Sequence, residues 1–363
     1  FKDGSNFQAG LKSAFTQTDN EAIYNNTIDG VTTPDYGLSN RFLYDEWINA
    51  AYLNYNRSIG KMQIQMGLRA ESTYLEGNQL GNEVTPDTSF TRNYTSLFPT
   101  FYAARNLDSA GVHNLNFSYG RRIERPYFQD LNPFISPLDK FTFYTGNPNL
   151  LPTYSHNLSL THTYNNMIST TLNYALIVDG INETLEIQDE IYYSRPGNIS
   201  SSQYLTLSVN ANMPLTNWYS INAYAEAAAV QFQSQLYTEQ LDARGINVYA
   251  SLINNFTLKK GWRMSLSARY SNDQVYSQLN IKGYAFVNAG IQKDLFEGKG
   301  NLSLYFGDIF YSRIGDGVIN NLQQTEADWN SKYDSQSVTI SFSLRFGQSK
   351  FNKRKHEGSG SER

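Results

Sequence analysis

The segment Val338-Thr339-Ile340-Ser341-Phe342-Ser343-Leu344-Arg345-Phe346 puts an apolar residue at every even position and a small polar or basic residue at every odd one. Successive side chains point to opposite faces of a β-strand, so this is a strand with one apolar and one polar face. Lys61 to Arg69, Asn114 to Tyr119 and Arg263 to Tyr270 repeat the pattern. Arginine recurs in the polar register at Arg69, Arg263, Arg269 and Arg345, which suits a wet surface. Carried along the chain, the alternation predicts strands at about 5–17, 40–57, 61–76, 93–107, 111–124, 153–164, 167–187, 191–213, 217–233, 244–259, 262–276, 281–294, 300–314 and 331–347. Pro196-Gly197 within 191–213 predicts a bulge or bend.

A soluble β-sandwich would alternate in the same way, and the connections separate the two readings. Every second connection is a tight turn: Ser58-Ile59-Gly60, Asp108-Ser109-Ala110, Asn165-Asn166, Pro214-Leu215-Thr216, Lys260-Gly261 and the slightly longer Leu295 to Lys299. The others are mostly long, at 18–39, 77–92, 125–152, 234–243 and 315–330, with short exceptions near Asp189 and near Ser277-Gln278. Short turns on one side and long loops on the other characterise an outer-membrane barrel, whose short side faces the periplasm. Trp218 and Trp262 follow tight turns, and Tyr55 and Tyr164 come just before them, as in an aromatic girdle. The expected fold is therefore all-β, a transmembrane antiparallel β-barrel over 1–347. The polar, basic tail 348–363 contributes nothing to it.

Composition fits once both faces are counted. The chain is 40% hydrophobic and 14% aromatic, with Tyr 27 and Phe 21, yet mean hydropathy is -0.50. Averaging over a lipid face and a wet face hides the membrane signal. No run approaches the ~20 apolar residues of a spanning helix. A net charge of -4 argues against a nucleic-acid partner. The absence of cysteine excludes a disulfide framework and thiolate metal sites. Phe1-Lys2-Asp3-Gly4 has no signal-peptide character, so the chain is expected to start part-way through a longer product.

Neither a catalytic nor a metal site is expected, and no cofactor is implied. His113, His156, His162 and His356 lack ligand-like spacing. His156 and His162 share a strand face but lie roughly 20 Å apart, and His162 falls in the apolar register. No G-x-S-x-G, H-E-x-x-H or Walker motif occurs, so an enzyme is not expected. Glu183, Glu186, Asp189 and Glu190 form an acidic edge that reads as a solvated loop.

The stretch Arg121-Arg122-Ile123-Glu124-Arg125-Pro126 runs on to Leu131-Asn132-Pro133-Phe134, then Asp139, then Gly146-Asn147-Pro148-Asn149-Leu150-Leu151-Pro152. It strongly resembles the outer-membrane β-barrel family, relatives of TonB-dependent receptors. Tyr44-Asp45-Glu46 leading to Asn49-Ala50-Ala51-Tyr52, Gly67-Leu68-Arg69-Ala70-Glu71 and Tyr94-Thr95-Ser96-Leu97-Phe98-Pro99 are similar to further family segments. The resemblance is specific from about 40 to 155 and looser beyond.

It implies a receptor with a plug domain in the lumen and a barrel of about 22 strands, of which the fourteen read here would be the C-terminal part; an even count of fourteen also permits a complete smaller barrel. The implied function is TonB-dependent-receptor-like uptake or binding of a nutrient. The alternative is a structural or partner barrel subunit of an outer-membrane complex without transport. The implied partners are outer-membrane lipid, a plug domain with the TonB system, and other outer-membrane proteins. Alternation turns Arg122 towards the lumen. Arg121, Arg122, Arg125, Asn132, Asp139 and Asn147 are the candidate ligand or plug contacts, although Leu131-Asn132-Pro133-Phe134 and Gly146-Asn147-Pro148 are also turn formers that order the loop itself.

Overall fold

The computed structural model describes residues 4–346, apart from 189, 190, 238, 314, 321 and 323–325. Fourteen strands follow one another across a sheet in chain order. They are β1 (Asn6–Ala22), β2 (Asn40–Ile59), β3 (Met62–Leu80), β4 (Thr88–Asn106), β5 (His113–Glu124), β6 (Thr153–Tyr164), β7 (Ile168–Gln188), β8 (Ile191–Pro214), β9 (Tyr219–Leu236), β10 (Glu239–Leu258), β11 (Trp262–Ser271), β12 (Tyr284–Leu295), β13 (Gly300–Gly307) and β14 (Ser337–Leu344). Each pairs antiparallel with the next. Two short strands, Ile135–Pro137 and Thr142–Thr145, complete the 16-stranded sheet, the second running parallel to Tyr192–Ser194 of β8. The sheet is open: among the described residues no ladder joins β1 to β14.

The alternation becomes two faces. Leu160, Leu172 and Leu207 lie opposite one another on β6, β7 and β8 and are 41%, 46% and 52% exposed. Val338, Ile340 and Phe342 of β14 are exposed in the same register. Removing one such side chain from water is worth about 1.5–3 kcal/mol, so a continuous apolar face of this size fits lipid. At its tight-turn end lies an aromatic belt. Tyr219 stacks on Phe256 at 4.9 Å, Trp218 lies 6.2 Å from Phe256, and Tyr164 packs on His113 at 5.0 Å. The opposite face carries Asn, Ser, Thr and, among the arginines, Arg69, Arg122, Arg263 and Arg269.

Four expectations are corrected. The strands predicted at 262–276, 281–294, 300–314 and 331–347 are shorter on the main sheet. Asn272 ends β11 by taking over its rungs, its side chain accepting from Val248 N at 2.6 Å and donating to Ile246 O at 2.7 Å. Gln274–Tyr276 and Leu279–Ile281 instead join Gly317–Ile319 and Ala327–Trp329 in a separate 4-stranded sheet. That sheet docks on β7 through the buried Gln278, which accepts from Leu185 N and donates to Leu185 O, and through Leu185, Ile319 and Leu322.

The long connection expected at 234–243 is a tight turn at Tyr237, whose φ is +50°. Its hydroxyl bonds Thr184 Oγ1 at 2.7 Å, and Arg195 lies over its ring at 4.6 Å. The loop at 18–39 contains the hairpin Asn25–Ile28 and Val31–Pro34. Pro196-Gly197 makes no bulge; both stay in register with Glu183 and Asn182. β9 joins β8 only from Ser201, so Pro196 lies on an edge where its missing N–H costs no rung. The tail 348–363 lies outside the described residues.

The two faces predict an asymmetry. Leu207→Arg, on the apolar face, should cost about 2–4 kcal/mol if it sits near the bilayer midplane. Thr206→Arg, one residue away on the polar face, should cost under about 1 kcal/mol. Chemical denaturation of the full-length protein in lipid vesicles measures both, and equal costs would remove the membrane assignment of the apolar face.

Candidate ligand-binding groove on the polar face

Strand register sets the groove. Tyr52, Arg69 and Phe98 face one another across β2, β3 and β4; one rung further lie Ala50, Glu71 and Ser96, then Ile48, Thr73 and Tyr94. All project from the polar face. β5 joins β4 only up to the Thr100–Gly120 rung, and Pro99 stands just beyond, where it has no N–H to offer. Arg121 fills the gap: its Nη1 donates to Leu97 O at 2.9 Å, and its guanidinium lies 4.6 Å from the Tyr154 ring and 5.8 Å from the Phe98 ring.

Past the end of β5, Arg125 turns back over β4 to reach β3. It donates to Thr73 Oγ1 from Nη2 at 2.9 Å and from Nε at 3.1 Å, and its Nη2 pairs with Glu71. Glu46 lies 3.8 Å away and Arg69 contacts Glu71 at 2.6 Å, so the buried Glu71 carboxylate sits between two guanidiniums. Such a network holds only while each charge keeps its partner.

The chain from 126 to 152 folds onto this face instead of standing away from it. Leu131 and Leu150 bury themselves against Phe42, Tyr44 and Leu75, with Phe90, Tyr94 and Phe128 around them. Asn132 Oδ1 accepts from Asn40 Nδ2 at 2.9 Å, tying the loop to β2. Gly146 N donates to Asn132 O at 3.0 Å, and a Cβ at Gly146 would fall 2.2 Å from that oxygen, so only glycine fits. Asn147 Nδ2 donates to Pro196 O at 3.2 Å and its Oδ1 accepts from Asn149 N at 2.9 Å. Asp139 is exposed and accepts from Phe141 N at 2.7 Å, and that backbone bond holds its carboxyl below the usual range. Burial, with Asp130 alongside, pushes the Tyr144 hydroxyl up to about 12.

Arg122 differs from its neighbours. It is exposed on the polar face and has no hydrogen bond or ion pair among the described residues. It borders two grooves at once. One, of about 520 Å³, is lined by Tyr52, Arg69, Glu71, Phe98, Arg121 and Arg125 among others. The other, of about 410 Å³, is lined by Glu124, Ser155, Asn157, Asn182, Tyr204 and Tyr276 among others. Arg69, Arg121, Arg122 and Arg125 outnumber Glu71 and the adjacent Glu46, so the first groove is net basic and favours an anionic group; the second offers hydroxyls, amides, tyrosine rings and the Glu124 carboxylate.

The structure thus brings Arg121, Arg122 and Arg125 to one groove, while Asn132, Asp139 and Asn147 order the loop beside it. Sequence reading missed Arg69 and Glu71 as its members, although their spacing of two already places them on one strand face. His162, in the apolar register as expected, lies outside the groove, its Nε2 3.0 Å from His113 Nδ1 across β5 and β6. Among the described residues no group of three or more His, Cys, Asp or Glu is placed to hold a metal.

An open antiparallel sheet with an apolar outer face, an aromatic belt and a basic groove beside a folded loop defines an outer-membrane strand protein. The chain matches the outer membrane protein beta-barrel family over residues 1–344 and belongs to it. No curated protein sequence matches it. Similar solved structures include the ferric yersiniabactin uptake receptor FyuA from Yersinia pestis (TM-score 0.65, 13% identity, 94% of this chain and 51% of that one). The ferric-catecholate import receptor Fiu from K12 E. coli is also similar (TM-score 0.64, 10% identity, 94% and 52%). So is the siderophore receptor PiuA from Acinetobacter baumannii (TM-score 0.61, 12% identity, 93% and 52%). The chain spans about half the length of these structures. Their likeness to this chain is one of fold. This protein is located in the outer membrane.

Two outcomes follow from the groove. Arg125→Ala leaves Glu71 with a single partner and should destabilise the full-length protein by about 3 kcal/mol, read by denaturation, with faster proteolysis within 126–152. Asp139 should make a smaller, pH-dependent contribution. Its lowered carboxyl supports the turn above the ordinary carboxylate range and loses that support as pH falls below about 4. Amide exchange at Phe141 should therefore quicken in acid relative to Leu131, and Asp139→Ala should abolish the pH dependence.

Proposed function

We propose that the fourteen strands are one arc of a closed, wider barrel of about 22 strands, in a TonB-dependent-receptor-like protein that binds or takes up a nutrient. The observation that carries this reading is the basic groove beside the folded loop, with the Arg122 guanidinium, unpaired among the described residues, on the polar face. The open edges of β1 and β14 and the doubled length of the similar structures support the wider barrel. A plug domain and the TonB system belong to this reading as partners, and outer-membrane lipid covers the apolar face. Arg122 is the residue that meets the ligand or a plug acid directly. Arg121, Arg125, Asn132, Asp139 and Asn147 hold the groove and its loop in shape around it. The tight turns lie in the periplasm and the long loops outside the cell.

The full-length gene tests this in its own host. Cells carrying it should deplete at least one medium component that a deletion strain leaves, and depletion should require TonB. Arg122→Ala should slow that depletion several-fold without lowering thermal stability, because this side chain has no internal partner. No TonB-dependent depletion would favour a partner subunit without transport. Cysteines at Gly60 and Lys260 should escape an impermeant thiol reagent on intact cells, while one at Glu83 should react.

A further inference from the structure

The tight-turn end of β10 to β13 carries charge that the uptake reading leaves unused. The turns Lys259–Gly261 and Phe296–Gly298 stand side by side, because Trp262 at the start of β11 is paired with Lys293 near the end of β12. Both residues lie in the apolar, outward register, with Met264 and Ile291 next on their strands. The Lys293 ammonium sits 5.1 Å over the Trp262 ring and donates to the Lys260 carbonyl. Lys259 and Lys260 in the first turn and Lys299 beside the second are exposed.

The nearby carboxylates do not neutralise them. Asp294 belongs to the opposite, polar face, where it pairs with Arg263 and accepts from Asn301 Nδ2 at 3.1 Å. Glu297 in the second turn is the remaining acid, so four ammonium groups face one carboxylate. Directly beside them lies exposed apolar surface from Leu258, Trp262, Met264 and Leu302, with Phe296 at the turn. A ligand suited to this patch has an anionic head and apolar tails.

We infer that Lys259, Lys260, Lys293 and Lys299, with Trp262, bind the phosphodiester headgroup of an anionic phospholipid in the periplasmic leaflet. The lysines meet the phosphate at headgroup depth, the indole anchors at the interface, and the acyl chains run down the apolar face of β11 to β13. Free phosphate would leave the apolar half of the patch unused. The inference rests on the periplasmic placement of the tight turns, which thiol labelling at Gly60 and Lys260 checks separately. The Trp218 belt at the start of β9 provides an internal comparison: it has the same kind of aromatic cluster, with Tyr219 and Phe256, its own turn Pro214-Leu215-Thr216 has no lysine, and of the four lysines only Lys259 follows directly on the end of β10 that pairs beside it.

The test uses the full-length protein in phosphatidylcholine nanodiscs containing a small fraction of brominated phosphatidylglycerol, which quenches tryptophan on contact. The Trp262 signal is the difference between wild type and Trp262→Phe, and the Trp218 signal is obtained likewise with Trp218→Phe. Quenching at Trp262 should exceed that at Trp218 by roughly fivefold or more, the preference one engaged lysine confers near an anionic headgroup. It should fall to the Trp218 level in high salt and in the Lys260→Gln, Lys293→Gln double variant. Lys260→Arg, Lys293→Arg should retain it, which separates charge from any loss of structure. Brominated phosphatidylcholine should quench both tryptophans equally. Equal quenching of the two by phosphatidylglycerol, or enrichment that survives loss of the lysines, would overturn the proposal.

Discussion

A peptide group in hydrocarbon has no water to bond, and each unpaired N–H or C=O there costs several kcal/mol. That constraint explains most of what this chain does. Its strands are long and consecutive, and each pairs with its sequence neighbour, so backbone groups are satisfied by the nearest segment available. Where a ladder stops, something takes its place. At the β4–β5 gap proline removes a donor and the Arg121 side chain supplies one to Leu97 O. At the end of β11 the Asn272 amide fills the rungs that the strand gives up.

With backbone pairing settled by the ladder, the two faces are free to differ. The apolar face needs only leucine, valine and aromatics of suitable length. The polar face is where side chains make specific structure. Glu71 between Arg69 and Arg125 is a buried charge cluster that would be costly if any member were lost, and it fixes where the chain after β5 turns. Leu131 and Leu150 then give that loop a small core of its own against β2 and β3. A packed wall and an ordered loop leave Arg122 exposed between two grooves.

Much of this was legible in the sequence because a period of two is a local property. The alternation located all fourteen strands of the main path, and the turn residues separated tight from long connections. Arg121, Arg122 and Arg125 were legible too, since they sit at a strand end beside a proline-rich loop. Tyr237 was not: its tight turn depends on Thr184 and Arg195, far away in the chain. Nor was the separate 4-stranded sheet, because segments of three residues carry too little pattern to be assigned, and Gln278 finds its partner on β7.

The sequence by itself determined which face of each strand is apolar, the order of the strands and the strand ends at which the long connections emerge, because each follows from nearest-neighbour pairing and alternation. Only the tertiary structure decided that Arg125 crosses β4 to Glu71 and that the loop after β5 lies down on the polar face. It alone showed that Arg122 keeps no partner among the described residues and that His113 meets His162. Those outcomes depend on register between strands and on which side chains reach across them, and a one-residue shift in either would turn every contact to the opposite face.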